Sequence, residues 1–259
     1  MTHLKFYKYQ GTGNDFVMID NRQFTFNQND LESVRKICDR KFGIGADGLI
    51  LIQDHPDHDF EMVYFNADGS QSLCGNGSRC AVKFANFLGI IDQQTTFLAI
   101  DGAHEAFLED DLVHLKMGDV EEVTIKNKEV FINTGSPHHI KFVDDVEQFD
   151  VVQEGKRIRY MEDYSKTGGT NVNFVQALSH NQVFVRTYER GVEDETLSCG
   201  TGVTAVSLAV SLKNYQSPVH IKTLGGDLQV SFNKINDQKF EEIYLIGPAG
   251  MVFEGSIEI

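Results

Sequence analysis

The sequence predicts an α+β protein built from two pseudo-symmetric domains of one internal duplication, each a mixed, largely antiparallel sheet wrapped around a central helix. Three observations carry that expectation. First, the string Cys-Gly-x-Gly occurs twice, as Cys74-Gly75-Asn76-Gly77 and Cys199-Gly200-Thr201-Gly202, 125 residues apart. Second, each copy opens an apolar run that reads as a buried helix: Cys80, Ala81, Val82, Phe84, Ala85 behind the first, and Val203, Ala205, Val206, Leu208, Ala209 behind the second. Third, other segments keep nearly the same offset in the same order. Residues 43–50 align with 168–175, Asp101-Gly102 with Gly225-Gly226, and residues 10–14, less closely, with 133–136. Common turns recur by chance singly, but an ordered set of them indicates two copies of one unit.

The elements follow in turn. Residues 4–9 and 15–20 alternate as strands about the Gly11-Thr12-Gly13-Asn14 turn. Asn29 and Asp30 open a helix with Leu31, Val34, Ile37 and Cys38 on one face, stopping near Gly43. Residues 60–65 are extended and end at the turn Asn66-Ala67-Asp68-Gly69, ahead of the Cys74 helix. Residues 96–116 read as successive strands bent at Asp101-Gly102 and Asp110-Asp111. The second half repeats the theme, with strands at 130–133, 140–143, 172–178 and 182–189, the Cys199 helix, then strands at 219–223, 228–232 and 243–246. The domains are expected to span 1–118 and 119–249, with the last strand, 250–259, completing the first and the active site in the cleft between them.

Composition agrees. The 259 residues suffice for two domains of ordinary size, and 41% hydrophobic with 24% charged residues is typical of globular proteins. A net charge of −15 argues against a nucleic-acid surface, which needs clustered Lys and Arg. No apolar stretch reaches a membrane span, and the first residues lack a signal-peptide core. Four cysteines in so long a chain do not resemble a disulfide framework, so a cytoplasmic location is expected. The Asp54-His55-Pro56-Asp57-His58-Asp59 run is read as a solvated loop, and no metal site is expected.

A thiol at a helix start feels the positive end of the backbone dipole, which favours its thiolate. The flanking glycines leave first-turn N–H groups accessible to an anion. Two such thiols suggest an acid on one face of a substrate and a base on the other. At these residues the chain resembles the diaminopimelate epimerases along nearly its whole length. The likeness runs through Gly13-Asn14-Asp15-Phe16, residues 43–49, Asn66-Ala67-Asp68-Gly69-Ser70 and Cys74-Gly75-Asn76-Gly77-Ser78-Arg79-Cys80. It continues with Gly135-Ser136-Pro137-His138, Thr170-Asn171-Val172-Asn173, Tyr188-Glu189-Arg190-Gly191, Cys199-Gly200-Thr201-Gly202 and Gly247-Pro248-Ala249.

The resemblance implies a cofactor-independent isomerase that interconverts LL- and meso-diaminopimelate in lysine and peptidoglycan-precursor synthesis, acting as a homodimer. It makes Cys74 and Cys199 the proton-exchanging pair, and His138 and Glu189 the groups that tune thiols or substrate. Asn14, Asn66, Gly75, Asn76, Asn171, Glu189, Arg190, Gly200 and Thr201 become substrate-binding positions. Some family members carry Gln where this chain has Gly48 and Asn where it has Ser136, so other groups must serve there. Thiols ~3.5 Å either side of one carbon lie about 7 Å apart. At an effective dielectric near 20 two thiolates so placed repel by about 2.4 kcal/mol, which separates their titrations by about 1.7 pH units. One sulfur then stays protonated while the other is anionic. Two alternatives differ in signature. A proline-racemase-like enzyme usually shows His in place of Asn76 and lacks Tyr188-Glu189-Arg190; a thiol–disulfide redox protein would favour Cys-x-x-Cys.

Overall fold

A computed structural model describes residues 3–166 and 168–258. In chain order the elements are β1 (His3–Gly11), β2 (Asn14–Asp20), α1 (Leu31–Cys38), β3 (Gly48–Gln53), β4 (Phe60–Asn66), α2 (Gly75–Phe87), β5 (Gln94–Ala99), β6 (Gly102–Glu109) and β7 (Leu112–Lys116). There follow β8 (Val123–Lys126), β9 (Glu129–Asn133), β10 (Pro137–Phe142), α3 (Val151–Arg159), α4 (Glu162–Ser165), β11 (Asn171–Ser179) and β12 (Gln182–Glu189). The chain closes with β13 (Asp194–Thr196), α5 (Gly200–Ser211), β14 (Val219–Thr223), β15 (Gly226–Lys234), β16 (Phe240–Gly247) and β17 (Gly250–Glu258). Two compact units emerge: Met1–Leu115 with Gly247–Ile259, and Lys116–Ile246.

In the first unit the strands pair in the order β17-β1-β2-β3-β4-β5-β6-β7. In the second the order is β8-β9-β10-β11-β12-β14-β15-β16, with β13 added beside the end of β12. Taken pair by pair, both sheets read antiparallel, antiparallel, parallel, antiparallel, parallel, antiparallel, antiparallel. The duplication and the α+β class expected from sequence are borne out. Parallel neighbours need a crossover, and each crossover is helical. In the first unit α1 joins β2 to β3 and α2 joins β4 to β5; in the second α3 and α4 join β10 to β11, and α5 lies between β13 and β14.

Each sheet is therefore covered on both faces. Val17, Ile19, Leu49, Leu51, Val63 and Phe65 pack on Val34 and Ile37 of α1. Because strand side chains alternate, Phe16 and Ile50 point the other way, against Gly77 of α2. Such double burial explains β3, where residues 48–53 are all buried and no alternation marks the strand. In the second unit Val172, Phe174, Phe184 and Tyr188 pack on Val151 and Ile158 of α3. The opposite face of β11 belongs to α5, whose residues 202–211 are buried all round, as an apolar central helix must be. Helix α3 is capped by Asp150, whose side chain accepts from the Gln153 N–H, in a stretch where the sequence had suggested no element.

Candidate active site

In the first unit the chain leaves β4 at Asn66, turns, and enters α2 from Cys74, which takes the extended N-cap conformation (φ −133°, ψ 112°). Its carbonyl accepts the first helical bond from Ser78 N–H, and its side chain makes no capping bond, so the thiol stands at the helix mouth. Cys74 is half-buried, whereas Cys80, six residues on, is fully buried and its thiol is pushed far up by that burial. The first turn rests on a chain of carboxamides. Arg79 donates to Asn76 Oδ1 at 2.9 Å and to Thr12 Oγ1 at 2.8 Å. Asn76 Nδ2 donates to Asn14 Oδ1 at 2.5 Å, and Asn14 Nδ2 to Asp47 Oδ2 at 2.9 Å. Beyond it, Arg40 binds both Asp47 and Asp15. Burial alone would raise Asp15, but Arg40 and Lys8 overcome it and hold the carboxyl at about 2.

The second unit builds the same mouth. Cys199 is the N-cap of α5 with φ −120° and ψ 111°, again with no side-chain cap, and its carbonyl accepts from Val203 N–H. Its Sγ lies 3.5 Å from Thr201 Oγ1. Thr201 Oγ1 is in turn 2.9 Å from His138 Nε2 and 3.0 Å from Ser136 Oγ, which is itself 2.9 Å from His138 Nε2. The other ring nitrogen, Nδ1, faces Asn173 Nδ2 at 3.1 Å, and the same Nδ2 donates to the His139 carbonyl, which only accepts. Asn173 therefore presents nitrogen, His138 Nδ1 accepts, and the ring proton sits on Nε2. Burial, assisted by Arg190, depresses His138 to about 3, so the ring is neutral at ordinary pH. Gly202 is required here, because a Cβ would stand 2.5 Å from Asn173 Oδ1.

Asn171 links this cluster to the next loop: its Nδ2 donates to Ser136 Oγ and the Pro137 carbonyl, and its Oδ1 accepts from Arg190 N–H at 2.8 Å. Glu189, the last residue of β12, is half-buried, and the loss of solvent raises its carboxyl. All four cysteines are thiols.

Comparison with known proteins fits this geometry. The family profile described as diaminopimelate epimerase matches residues 6–123 and 130–252. The chain belongs to the diaminopimelate epimerase family. It is 54% identical over 258 residues to the diaminopimelate epimerase of Flavobacterium psychrophilum, covering 98% of this chain and 100% of that one. It is 40% identical to the diaminopimelate epimerase of Aquifex aeolicus, covering 98% of each. Among solved structures it resembles a phenazine biosynthesis protein of the PhzF family from Bacillus anthracis, with TM-score 0.77, 11% identity and full coverage of both chains. A hydroxyproline epimerase from Agrobacterium vitis gives TM-score 0.67 at 12% identity, covering 99% of this chain and 91% of that one. Those two likenesses speak for the fold.

Gly48 and Ser136, the two positions noted from sequence as lacking a longer polar side chain, acquire physical explanations. At Gly48 a Cβ would lie 2.4 Å from both the Tyr64 ring and the Phe65 carbonyl. Tyr64 thus occupies the space a side chain at 48 would take, and its hydroxyl donates to Asn66 Oδ1 at 2.9 Å. Asn66 Nδ2 reaches Ser70 and Ser72, so the whole amide is fixed at the end of β4. Ser136 serves as the junction of His138, Thr201 and Asn171. Asn14 and Asn171 are locally turn-forming residues, yet both stand as the first residue of a strand. The sequence reading missed Tyr64, Asn173 and Arg79; only Arg79 and Asn173 lay inside quoted motifs.

Proposed function

We propose that this chain interconverts LL- and meso-diaminopimelate by exchanging the α-hydrogen between Cys74 and Cys199, one sulfur removing it from one face and the other returning one to the opposite face. The observation that carries this reading is the pair of cysteine-capped helix starts, alike in backbone conformation and in topological position. Gly75-Asn76 and Gly200-Thr201 bring first-turn N–H groups, whose partial positive charge favours a carboxylate that gains charge as the proton leaves. Preorganised donors of this kind typically contribute ~10²–10³ in rate, and positioned proton transfer ~10²–10⁴. On the Cys199 side the neutral His138 donates into the Ser136–Thr201 hydroxyl pair, which leaves the Thr201 hydrogen to point at the sulfur and stabilise its anion. Asn66, Asn171, Glu189 and Arg190 supply the polar contacts a diamino diacid needs at its ammonium and distal groups. We also read the working form as a cytoplasmic homodimer, which sedimentation velocity on the purified protein checks.

The deciding experiment is turnover of LL-diaminopimelate in deuterated water. With two thiols, deuterium enters the newly formed meso isomer ahead of the recovered substrate; equal labelling of both would mean a single base. Cys74→Ala and Cys199→Ala should each lose inversion by at least ~10². A variant lacking either thiol that still inverts substrate at the original rate would refute the assignment.

A further inference from the structure

Among the described residues Arg79 is the largest side chain buried completely, and it is charged. Among the described residues no carboxylate pairs with it, and two of its nitrogens, Nε and Nη1, are buried without a hydrogen-bond partner. A guanidinium so placed costs stability, so its presence calls for a reason other than packing. Its remaining nitrogen, Nη2, holds Asn76 Oδ1 and Thr12 Oγ1. Burial lowers its pKa to about 10, against the attraction of Cys80 and Cys74, so the group stays protonated at neutral pH.

The task follows from donor and acceptor chemistry. A carboxamide presents oxygen or nitrogen at either end by a half-turn, and nothing in its own shape chooses between them. Arg79 only donates, so the atom of Asn76 that faces it must be oxygen. Asn76 nitrogen then faces Asn14, whose facing atom must be oxygen in turn. Asn14 nitrogen consequently faces Asp47, a carboxylate that only accepts. Both ends of the chain demand the same orientation, and the two amides span the gap between a buried cation and an anion anchored by Arg40. With one N–H committed to Asp47 and its oxygen turned toward Asn76, Asn14 keeps one N–H to donate to a ligand carboxylate.

We infer that Arg79 is a positioning residue for the epimerase reaction: together with Asp47 it fixes the orientation of the Asn76 and Asn14 carboxamides at the mouth of α2. This rests on the reading of Asn14 and Asn76 as substrate contacts, so Asn14→Ala is measured beside the other variants. With the full chain and LL-diaminopimelate, Arg79→Met should raise KM about tenfold, the usual range for losing one charged hydrogen bond, with kcat changed less than about threefold. Arg79→Lys, which keeps a donor-only cation, should recover most of that loss. Asp47→Asn sits at the half-exposed end and should raise KM a few-fold by making the far end ambiguous. Equal damage from Arg79→Met and Arg79→Lys would overturn the inference in favour of plain packing. Should Arg79→Met not fold, an unchanged KM in Asp47→Asn overturns it alone. If Asn14→Ala leaves KM unchanged, the substrate-contact reading fails; if Asn14→Ala raises KM while Arg79→Met and Asp47→Asn do not, only the orienting role fails.

Discussion

Thr201 stands at the first turn of α5 with a helix behind it, a neutral imidazole on one side and a thiol on the other. Because His138 cannot hold a proton on Nδ1 against Asn173, its influence on Cys199 passes through a hydroxyl rather than through charge. Thr201→Val removes that hydroxyl while keeping the shape. It should slow kcat about three- to tenfold, the worth of one neutral hydrogen bond, and leave KM within threefold; Thr201→Ser should restore the rate. Steady-state kinetics read the outcome, and a Thr201→Val enzyme as fast as the parent would remove His138 from the chemistry. The same cluster shows how far single residues could be read from sequence. His138, Ser136 and Thr201 stand in quoted motifs, but their mutual contact joins residues some 65 positions apart and no local pattern announces it.

Among the elements, α3 shows packing prevailing over propensity. Gly155 weakens an isolated helix by about 1 kcal/mol relative to Ala, so on propensity alone the substitution Gly155→Ala should stabilise. The structure predicts the opposite. A Cβ at 155 would stand 2.4 Å from Tyr188 Cβ and 2.6 Å from its ring, so α3 would be forced off β12. Gly155→Ala should cost about 1–3 kcal/mol, seen as a lower urea midpoint with an unchanged slope. It should also disturb activity, since Tyr188 precedes Glu189 and Arg190. The missing signal at α3 and the missing signal at β3 share one cause. A glycine at a close approach breaks helical periodicity, and burial on both faces erases strand alternation. Helix α1, by contrast, was legible because one face is exposed: Asp30 caps it, Val34, Ile37 and Cys38 line the buried side, and Glu32 and Arg35 face away.

For the whole chain, stability should fall with acid well before Asp15 and Glu154 titrate. Burial depresses His138 to about 3 and also lowers His139, whose Glu129 neighbour only partly opposes it. The unfolded chain binds these protons near pH 6.5 while the native chain binds them only at lower pH, so stability is complete above pH 6.5 and is lost as pH falls below it. For His138 alone the slope reaches about 1.4 kcal/mol per pH unit. Asp15 and Glu154, both held at about 2, add a second loss only as pH drops below about 4. Thermal unfolding followed from pH 7.5 to pH 4.5 should show Tm declining by several degrees within that interval; a flat Tm would mean His138 is protonated in the native state.

From the chain of letters alone came the duplication, the α+β class, the two thiols at helix starts and most strands. Each of those is written in periodicity, in turn chemistry, or in a repeat that survives as a constant offset. Folding alone settled how the side chains of those motifs are turned. Tyr64 fills the space above Gly48, Asn173 fixes the tautomer of His138, and Arg79 and Asp47 between them orient two asparagines 62 residues apart. The reason is physical: propensity acts over a few neighbouring residues, whereas the direction of an amide or an imidazole depends on whichever donor or acceptor the fold brings against it.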